Sequence, residues 1–454
     1  MSPPSVGLKT FGGAYGLLWR CARPFLRRHK RLRRDFDERL VPSSWAPSGP
    51  VDVWIQAASG GEAFLARQLL TELGKLASHP LRLLCTSCTR QGLDTLAHAS
   101  SWIETTFPSL AVTIRPFPLD EPAVMRRALE YAQPRLLVLL ETELWPGLMV
   151  TCAAQGVPVA IINGRMTEKS LGWYRLLLPL WEKTAPQNIL ATSEEDAARF
   201  AELFGLEGVS VMPNMKFDAL SLPETAPFST DAADGLAKRL LPEPCPVVLL
   251  ASVREQEEKV LLGSIADLCQ RLPEVIIVVA PRHMERIGAW RNSLAEARAT
   301  GRVLLRTELE NSGKAAKAGD IVIWDAFGEL RLLYKRAQAV FVGGSLAPLG
   351  GQNFLEAVFA GLVPCVGPYG NNFTWIGEDL FLQGLVRRIK TVDALIPALE
   401  EQLHAPADRM AVQAKVAAYV APRQGGSRMA AQSIVKALGS LKESASGRYA
   451  SDTT

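Results

Sequence analysis

The chain has 454 residues, enough for about two or three domains that each bury a hydrophobic core. Its net charge of +4 is small for this length, so charge alone does not indicate a nucleic-acid-binding protein. Seven scattered cysteines argue against a secreted disulfide framework, and no apolar run approaches the ~20 residues of a membrane-spanning helix.

The N-terminal stretch, residues 1–45, combines a short apolar segment with many cations. The apolar part, 11–18, is too short and too rich in glycine to span a membrane. Such a stretch suits an anionic membrane surface, because apolar burial and charge attraction add; the alternative is a solvated helix packed on the neighbouring domain. We expect a membrane-associating arm whose cations are Arg20, Arg23, Arg27, Arg28, Lys30, Arg31, Arg33 and Arg34.

Strands alternate with helices through residues 46–225, which we interpret as a first domain. This rhythm predicts a parallel sheet that is covered by helices on both faces. Ligands of such sheets lie beyond the carboxyl ends of the strands, and Glu62, Glu141, Glu143 and Asn163 all fall there. The predicted strands are 51–57, 81–86, 111–116, 135–140, 157–162, 188–191 and 209–212.

Glu62 follows the turn Ser59-Gly60-Gly61 and opens a helix that we expect to run to about residue 77. The dipole of that helix is expected to stabilise the carboxylate and to lower its pKa, which makes Glu62 a weaker base. A glutamate in the first turn of a helix is also a common structural feature, so position alone does not assign it a function.

Glu141 and Glu143 follow a buried strand in the sequence LLVLLETELWP. Two carboxylates separated by one residue can lie on the same side of an extended chain. We expect them in or beside a site at this edge of the sheet, or in hydrogen bonds that shape it; a solvated loop or a helix cap ahead of Pro146 is the alternative. Arg165, after the next strand, suits a phosphate or a surface ion pair equally well.

A second domain, which we place at 226–440, begins after a stretch rich in proline, serine, threonine and aspartate. It repeats the alternation of strands and helices, and its last helix, from 410 to about 438, could return to the first domain. Residues 441–454 are expected to be a disordered tail. The predicted strands are 247–251, 275–280, 302–305, 321–324, 339–342 and 365–367.

The glycine-rich loop after the strand 339–343 is the strongest candidate for an anion site in this domain. It carries Gly343, Gly344, Gly350 and Gly351, and a helix predicted at 354–360 follows it. Glycines let the backbone approach a ligand closely, and a helix N-terminus offers free N–H groups to a phosphate or carboxylate. An ordinary strand-to-helix connection is an equally good interpretation of the spacing.

Several of these segments, in this order, resemble the Kdo transferases of lipopolysaccharide assembly, in which Kdo is 3-deoxy-D-manno-octulosonic acid. The resemblance covers about residues 50–430. Its segments are QAASGGE, LLVLLETELWP, NGRMT, NMKFD, PRHMER, DAFGEL and GGSLAPLGGQNFLEA. The chain departs from the family pattern at four positions, with Arg254 and Gln352 in place of histidines, Gln256 in place of a glycine and Met284 in place of a proline.

The resemblance implies a GT-B type α/β fold, with two Rossmann-like domains facing one another across a cleft. It also implies transfer of Kdo from CMP-Kdo to a lipid A precursor (lipid IVA) with inversion, at the cytoplasmic face of the bacterial inner membrane. The sequence has no histidine, cysteine and aspartate cluster with metal-binding spacing, so we expect no protein-bound metal and no cofactor besides the donor substrate CMP-Kdo. The alternatives are another GT-B transferase that uses a UDP-sugar, or a non-catalytic nucleotide-sugar-binding membrane protein.

The resemblance also implies roles for single residues. Glu62 is the expected catalytic base, because a positioned carboxylate can take the proton of the attacking acceptor hydroxyl. Arg282 suits the CMP phosphate through bidentate hydrogen bonds, with His283 beside it. The remaining expected donor-side residues are Phe327, Gly328, Glu329, Gly350, Gly351, Asn353 and Glu356, and the acceptor-side residues are Ser59, Gly60, Glu141, Glu143 and Arg165.

Overall fold

The computed structural model of the protein describes residues 6–29, 32–220, 231–296 and 301–451. The chain forms two compact units, of which the first contains Met1–Ala219 and Arg423–Thr454 and the second contains Leu220–Pro422. Each unit has its own seven-stranded, wholly parallel sheet with helices on both faces. The predicted α/β class with two Rossmann-like units is confirmed.

The sheet of the first unit has the strand order β3-β2-β1-β4-β5-β6-β7. Its two central strands are wholly apolar apart from Gln56 and are fully buried, as expected for a sheet covered on both faces. The strands are β1 Val53–Gln56, β2 Leu81–Ser87, β3 Leu110–Pro116, β4 Leu136–Leu140, β5 Val159–Gly164, β6 Asn188–Ala191 and β7 Val209–Val211. The helices are α1 Val6–Leu26, α2 Gly60–Leu76, α3 Arg90–Thr106, α4 Pro122–Ala132, α5 Pro146–Gln155, α6 Glu168–Tyr174, α7 Leu178–Trp181 and α8 Glu194–Phe204.

The sheet of the second unit has the order β10-β11-β9-β8-β12-β13-β14. Its strands are β8 Val247–Val253, β9 Ile276–Pro281, β10 Val303–Leu305, β11 Ile321–Ile323, β12 Ala339–Val342, β13 Cys365–Val366 and β14 Arg387–Arg388. Its helices are α9 Asp231–Leu240, α10 Glu255–Arg271, α11 Ile287–Glu296, α12 Arg306–Ser312, α13 Leu330–Arg336, α14 Leu355–Phe359, α15 Asp379–Leu382, α16 Leu395–His404 and α17 Arg409–Val420. The sequence interpretation missed β14, which consists of two arginines at the sheet edge.

The last helix, α18 Gly426–Ser451, belongs to the first unit. Ala430, Ile434 and Leu438 are buried in a core that includes residues of α2, and Arg135 donates a hydrogen bond to the Leu438 carbonyl at 2.8 Å. The assignment of residues up to 440 to the second domain was therefore wrong. The disordered tail predicted from 441 was also wrong as far as residue 451, because the helix continues through that stretch.

Helix α1 packs on α4 and α5 of the first unit, so the front of the predicted arm is folded against the domain. Two of its cations, Arg20 and Arg23, form ion pairs with the buried Glu121. Lys30 and Arg31 lie outside the described residues. Within the described part of the chain, no helix combines the length and apolar character needed to cross a membrane.

Candidate active site

The carboxyl ends of the central strands in the first unit carry a group of polar residues. Glu141 follows β4 and Asn163 lies near the end of β5, and both have left-handed backbone conformations, with φ of 59° and 56°. Such conformations are uncommon for residues other than glycine and tend to gather where a fold holds a side chain in one required orientation. The sheet therefore presents a preorganised polar surface at the edge where the sequence predicted one.

Glu62 lies in the first turn of α2 and is half-buried. Its carboxylate accepts a hydrogen bond from the Ser59 backbone N–H at 2.6 Å, and the Ser59 hydroxyl accepts one from the Glu62 N–H at 3.4 Å. This reciprocal arrangement is a capping box, which fixes the carboxylate in place. Gly60, also expected beside an acceptor, lies so close to Gln91 that a side chain on it would meet Gln91 carbons within 3.0 Å.

Burial raises the pKa of the Glu62 carboxyl above its ordinary value, and the charge of Glu141 raises it further. The hydrogen bonds from Ser59 act in the opposite direction but do not cancel this effect. The expectation of a lowered pKa from the helix dipole was wrong, because desolvation outweighs the dipole at this position. A raised pKa makes Glu62 a stronger base than the sequence suggested.

Glu143 lies in the same group and has a different electrostatic state. Burial, with the nearby charge of Glu62, raises the pKa of Glu143 to about 8. Its carboxyl accepts a hydrogen bond from the Trp145 indole N–H at 2.5 Å. Glu143 therefore holds its proton more tightly than an exposed glutamate does, and it lies beside the candidate base Glu62.

Glu141 forms an ion pair that the sequence did not predict. Its carboxylate lies 2.6 Å from the Lys216 Nζ and 4.0 Å from an Arg165 terminal nitrogen. Lys216 follows Asn214 just after β7, and the Asn163 amide oxygen accepts a hydrogen bond from the Met215 N–H at 2.8 Å, which holds this segment at the strand ends. The sequence carries no local signal for this pair, because the fold brings Lys216 to Glu141 from a distant part of the chain. The site thus contains two cations among three carboxyl groups.

In the second unit, Arg282 lies immediately after β9 with its guanidinium held at one end. Its Nε donates to the Gln352 Oε1 at 3.1 Å, and its Cζ lies 6.0 Å from the centre of the exposed Phe327 ring. Among the described residues, none accepts a hydrogen bond from its two terminal nitrogens. A guanidinium fixed at Nε with its other two nitrogens open is suited to bidentate binding of a phosphate.

The glycine-rich loop after β12 already holds an anion that belongs to the protein. The buried Glu257 carboxylate accepts hydrogen bonds from the N–H groups of Gly344, Ser345 and Leu346, at 2.6, 2.9 and 2.8 Å. It also accepts one from the Arg254 N–H at 3.1 Å. An internal carboxylate therefore occupies these three amides, whereas the expected donor-side residues Gly350, Gly351, Asn353 and Glu356 follow later in the chain.

Other expected donor-side residues have structural partners. Glu329 accepts hydrogen bonds from the Trp324 indole at 2.9 Å and from Arg306 at 3.0 Å, and His283 faces Glu285 at 3.8 Å and not Arg282. The Asn353 amide donates to Glu356 at 2.9 Å at the start of α14. Gly328, Gly350 and Gly351 all have positive φ, and a side chain at Gly350 would collide with Asn372 at 2.6 Å.

Within the described residues, no group of three or more histidine, cysteine, aspartate or glutamate side chains could hold a metal ion. The carboxyl groups of Glu62, Glu141 and Glu143 in the first unit are suited to proton transfer. In the second unit, the Arg282 guanidinium is suited to anion binding.

Comparison with known proteins identifies related sequences. The family model described as 3-deoxy-D-manno-octulosonic-acid transferase (kdotransferase) matches residues 28–219. A 3-deoxy-D-manno-octulosonic acid transferase of Bordetella pertussis is 31% identical over 394 residues, which cover 85% of this chain and 87% of that protein.

Two solved structures share the fold at low sequence identity. A UDP-GlcNAc 2-epimerase from Neisseria meningitidis aligns with a TM-score of 0.54 at 15% identity, covering 85% of this chain and 99% of that one. A glycosyltransferase from Rickettsia africae also aligns with a TM-score of 0.54, at 12% identity, covering 87% and 99%. These likenesses concern the fold alone, whereas the relative from Bordetella extends the resemblance along most of the sequence. The chain therefore belongs to the 3-deoxy-D-manno-octulosonic acid transferase family and is a glycosyltransferase of the GT-B fold.

Proposed function

We propose that the protein transfers Kdo from CMP-Kdo to a lipid A precursor, lipid IVA, in lipopolysaccharide synthesis. The observation that carries this proposal is the carboxyl group of Glu62, which is fixed by a capping box and made more basic by burial. An acceptor hydroxyl is a poor nucleophile until a base removes its proton. Membership of the family supplies the identity of the transferred sugar.

The reaction is a direct displacement that inverts the anomeric centre. The acceptor oxygen forms a bond to the anomeric carbon of Kdo while the bond from that carbon to the CMP phosphate oxygen breaks. The hydroxyl proton passes to Glu62, and CMP departs with the bonding electrons on its phosphate. Arg282 stabilises that departing charge through its two open nitrogens.

The donor is tested by replacing the arginine. Arg282→Ala removes a charge-assisted hydrogen-bonding group worth about 1.5–3 kcal/mol, so CMP binding should weaken roughly ten- to a hundredfold. The matched control is Arg291→Ala, which removes an exposed arginine of α11 that pairs with Glu308. Calorimetry with CMP and UDP separates the donors. Unchanged CMP affinity in the Arg282 variant would show that this residue is not a phosphate ligand.

The membrane surface is part of the proposal and rests on the outer face of the arm. Leu17, Leu18 and Phe25 are 63, 67 and 74% exposed, and the exposed Arg28 and Arg34 lie close along the chain. Exposed apolar residues beside cations suit the cytoplasmic surface of the inner membrane, where anionic lipid is present.

One assay decides the reaction. The purified protein is incubated with CMP-Kdo and lipid IVA, the product mass is measured, and the anomeric configuration of the added sugar is read by NMR. A mass increase of one or more Kdo residues with inverted configuration is the expected result. Transfer from a UDP-sugar in preference to CMP-Kdo, or CMP binding with no turnover, would overturn the proposal in favour of the two alternatives.

A further inference from the structure

Helix α1 is fastened to a dipeptide at the start of α4 rather than simply lying on the surface. The Tyr15 hydroxyl donates a hydrogen bond to the Asp120 carboxylate at 2.9 Å. Arg23 contacts the neighbouring Glu121 through a short ion pair, and Arg20 approaches the same carboxylate at 3.5 Å. Both acidic residues are 1% exposed, so their partners on α1 replace water that they cannot reach.

Helix α1 also packs on α4 and α5 along this contact. A side-chain atom on Gly12 would lie 3.9 Å from Val150 of α5, and one on Gly16 would lie 3.9 Å from Pro122 of α4. Leu8 is buried in the same core cluster as Val150. The helix is thus held by packing as well as by polar contacts, and its orientation is defined.

Asp120 connects α1 to the start of α5. Its carboxylate accepts hydrogen bonds from the N–H groups of Gly147 and Leu148, at 2.9 and 2.7 Å. The residue that precedes the helix, Trp145, offers no capping side chain of its own. Asp120 therefore caps the N-terminus of α5 from a distant part of the chain, and the hydrogen bond from Tyr15 holds Asp120 in place.

The start of α5 in turn carries the loop 141–145 of the candidate site. The Trp145 indole donates to the Glu143 carboxyl, and its ring packs on the buried Phe117 at 5.4 Å between ring centres. A shift of the first turn of α5 would move Trp145, and with it Glu143 and the neighbouring Glu141. The contacts form one continuous chain from Tyr15 to Glu143.

We propose that α1 is a positioning element of the site, a latch in which Tyr15 and Arg23 hold Asp120 and Glu121 and thereby fix the loop 141–145. These contacts do not depend on lipid, because they involve the inner face of α1, whereas its outer face stays exposed. The effect on catalysis rests on the proposed function; the effect on α5 does not.

Two single substitutions open the latch, and two matched substitutions do not. Tyr15→Phe removes one hydroxyl, and its control is Tyr131→Phe on α4, whose hydroxyl bonds no described residue. Arg23→Gln removes the charge opposite Glu121, and its control is Arg90→Gln, which breaks an exposed pair with Asp94 on α3. Arg23→Lys keeps the charge and should restore much of the effect of the latch.

The readouts are hydrogen exchange of the full chain and kinetics with detergent-dispersed lipid IVA in the absence of vesicles. We expect the Gly147 and Leu148 amides to lose protection in both latch variants and in neither control. The kcat should fall by about ten- to a hundredfold, the size of effect produced by a small misplacement, while the KM for CMP-Kdo stays unchanged.

Each outcome decides one of the two proposals. An inactive wild-type protein would overturn the proposed function, and the hydrogen-exchange data would still test whether α1 fixes the start of α5. Protected amides in Tyr15→Phe and Arg23→Gln would overturn the latch. If the Gly147 and Leu148 amides lose protection but kcat is unchanged, α1 only supports the fold and does not position the site. An equal loss of kcat in the control variants would also reject a positioning role. Since Tyr15→Phe removes a single oxygen, it keeps the test informative if Arg23→Gln does not fold.

Discussion

At the scale of single residues, Glu62 is the position on which the proposed reaction depends. Glu62→Gln keeps the shape and one hydrogen-bonding oxygen but cannot take a proton, so kcat should fall by about 10²–10⁴. Because wild-type Glu62 must be ionised and its pKa is raised, wild-type kcat should decline as pH falls through that pKa. The residual activity of the variant should lack this decline.

The control for that substitution is Glu130→Gln, which changes an exposed glutamate of α4. CMP affinity should be the same in both variants, because Arg282 lies in the other unit. Full activity in Glu62→Gln would exclude this residue as the base and direct attention to Glu141 and Glu143.

Glu143 predicts a pH dependence of stability. The unfolded chain ionises this group near its ordinary pKa of 4.5, whereas the folded protein keeps the proton up to a pKa of about 8. The neutral carboxyl thus contributes stability that is complete below pH 4.5 and is lost as pH rises through 8. Urea denaturation should show wild type losing stability relative to Glu143→Gln across this window. Parallel pH profiles for the two proteins would contradict the raised pKa.

At the scale of secondary-structure elements, Glu257 of α10 holds the loop after β12. Glu257→Gln replaces one acceptor oxygen by an N–H group that faces the loop amides, so the unfolding free energy should fall by about 3 kcal/mol. The amides of Gly344, Ser345 and Leu346 should exchange faster. Glu255→Gln on the same helix changes an exposed pair and should stay within about 0.5 kcal/mol. Unchanged exchange at the loop would refute this role.

The outer face of the arm makes a separate prediction. Charge reversal of Arg28, Arg33 and Arg34 should release the protein from anionic vesicles at low salt, because each cation near such a surface contributes about 1 kcal/mol. Binding to neutral vesicles serves as the control and should change little. Unaltered sedimentation with anionic vesicles would count against the arm as a membrane contact.

At the scale of the whole molecule, every strand of the two sheets except β14 was predictable, and several contacts were not. All seven strands of the first unit were expected, because runs such as Leu136–Leu140 are continuous apolar segments between turn residues. The pairing of Glu257 with loop amides 87 to 89 positions away leaves no local signal. The ion pair between Lys216 and Glu141 also leaves no local signal. The direction of the Glu62 pKa shift could not be predicted either, because it depends on how deeply the fold buries the Glu62 carboxyl.

Helix α18 also has a consequence for the order in which the protein is completed during synthesis. The first unit is split in sequence, and its core needs Ala430, Ile434 and Leu438 against Leu65 and Leu69 of α2. A ribosome that has made residues 1–219 has therefore not made a finished first unit. The second unit is contiguous and can close as soon as it emerges, so the half of the protein begun first is finished last. During that interval the apolar face of α2 is without its cover, which is when the nascent chain most needs protection from aggregation.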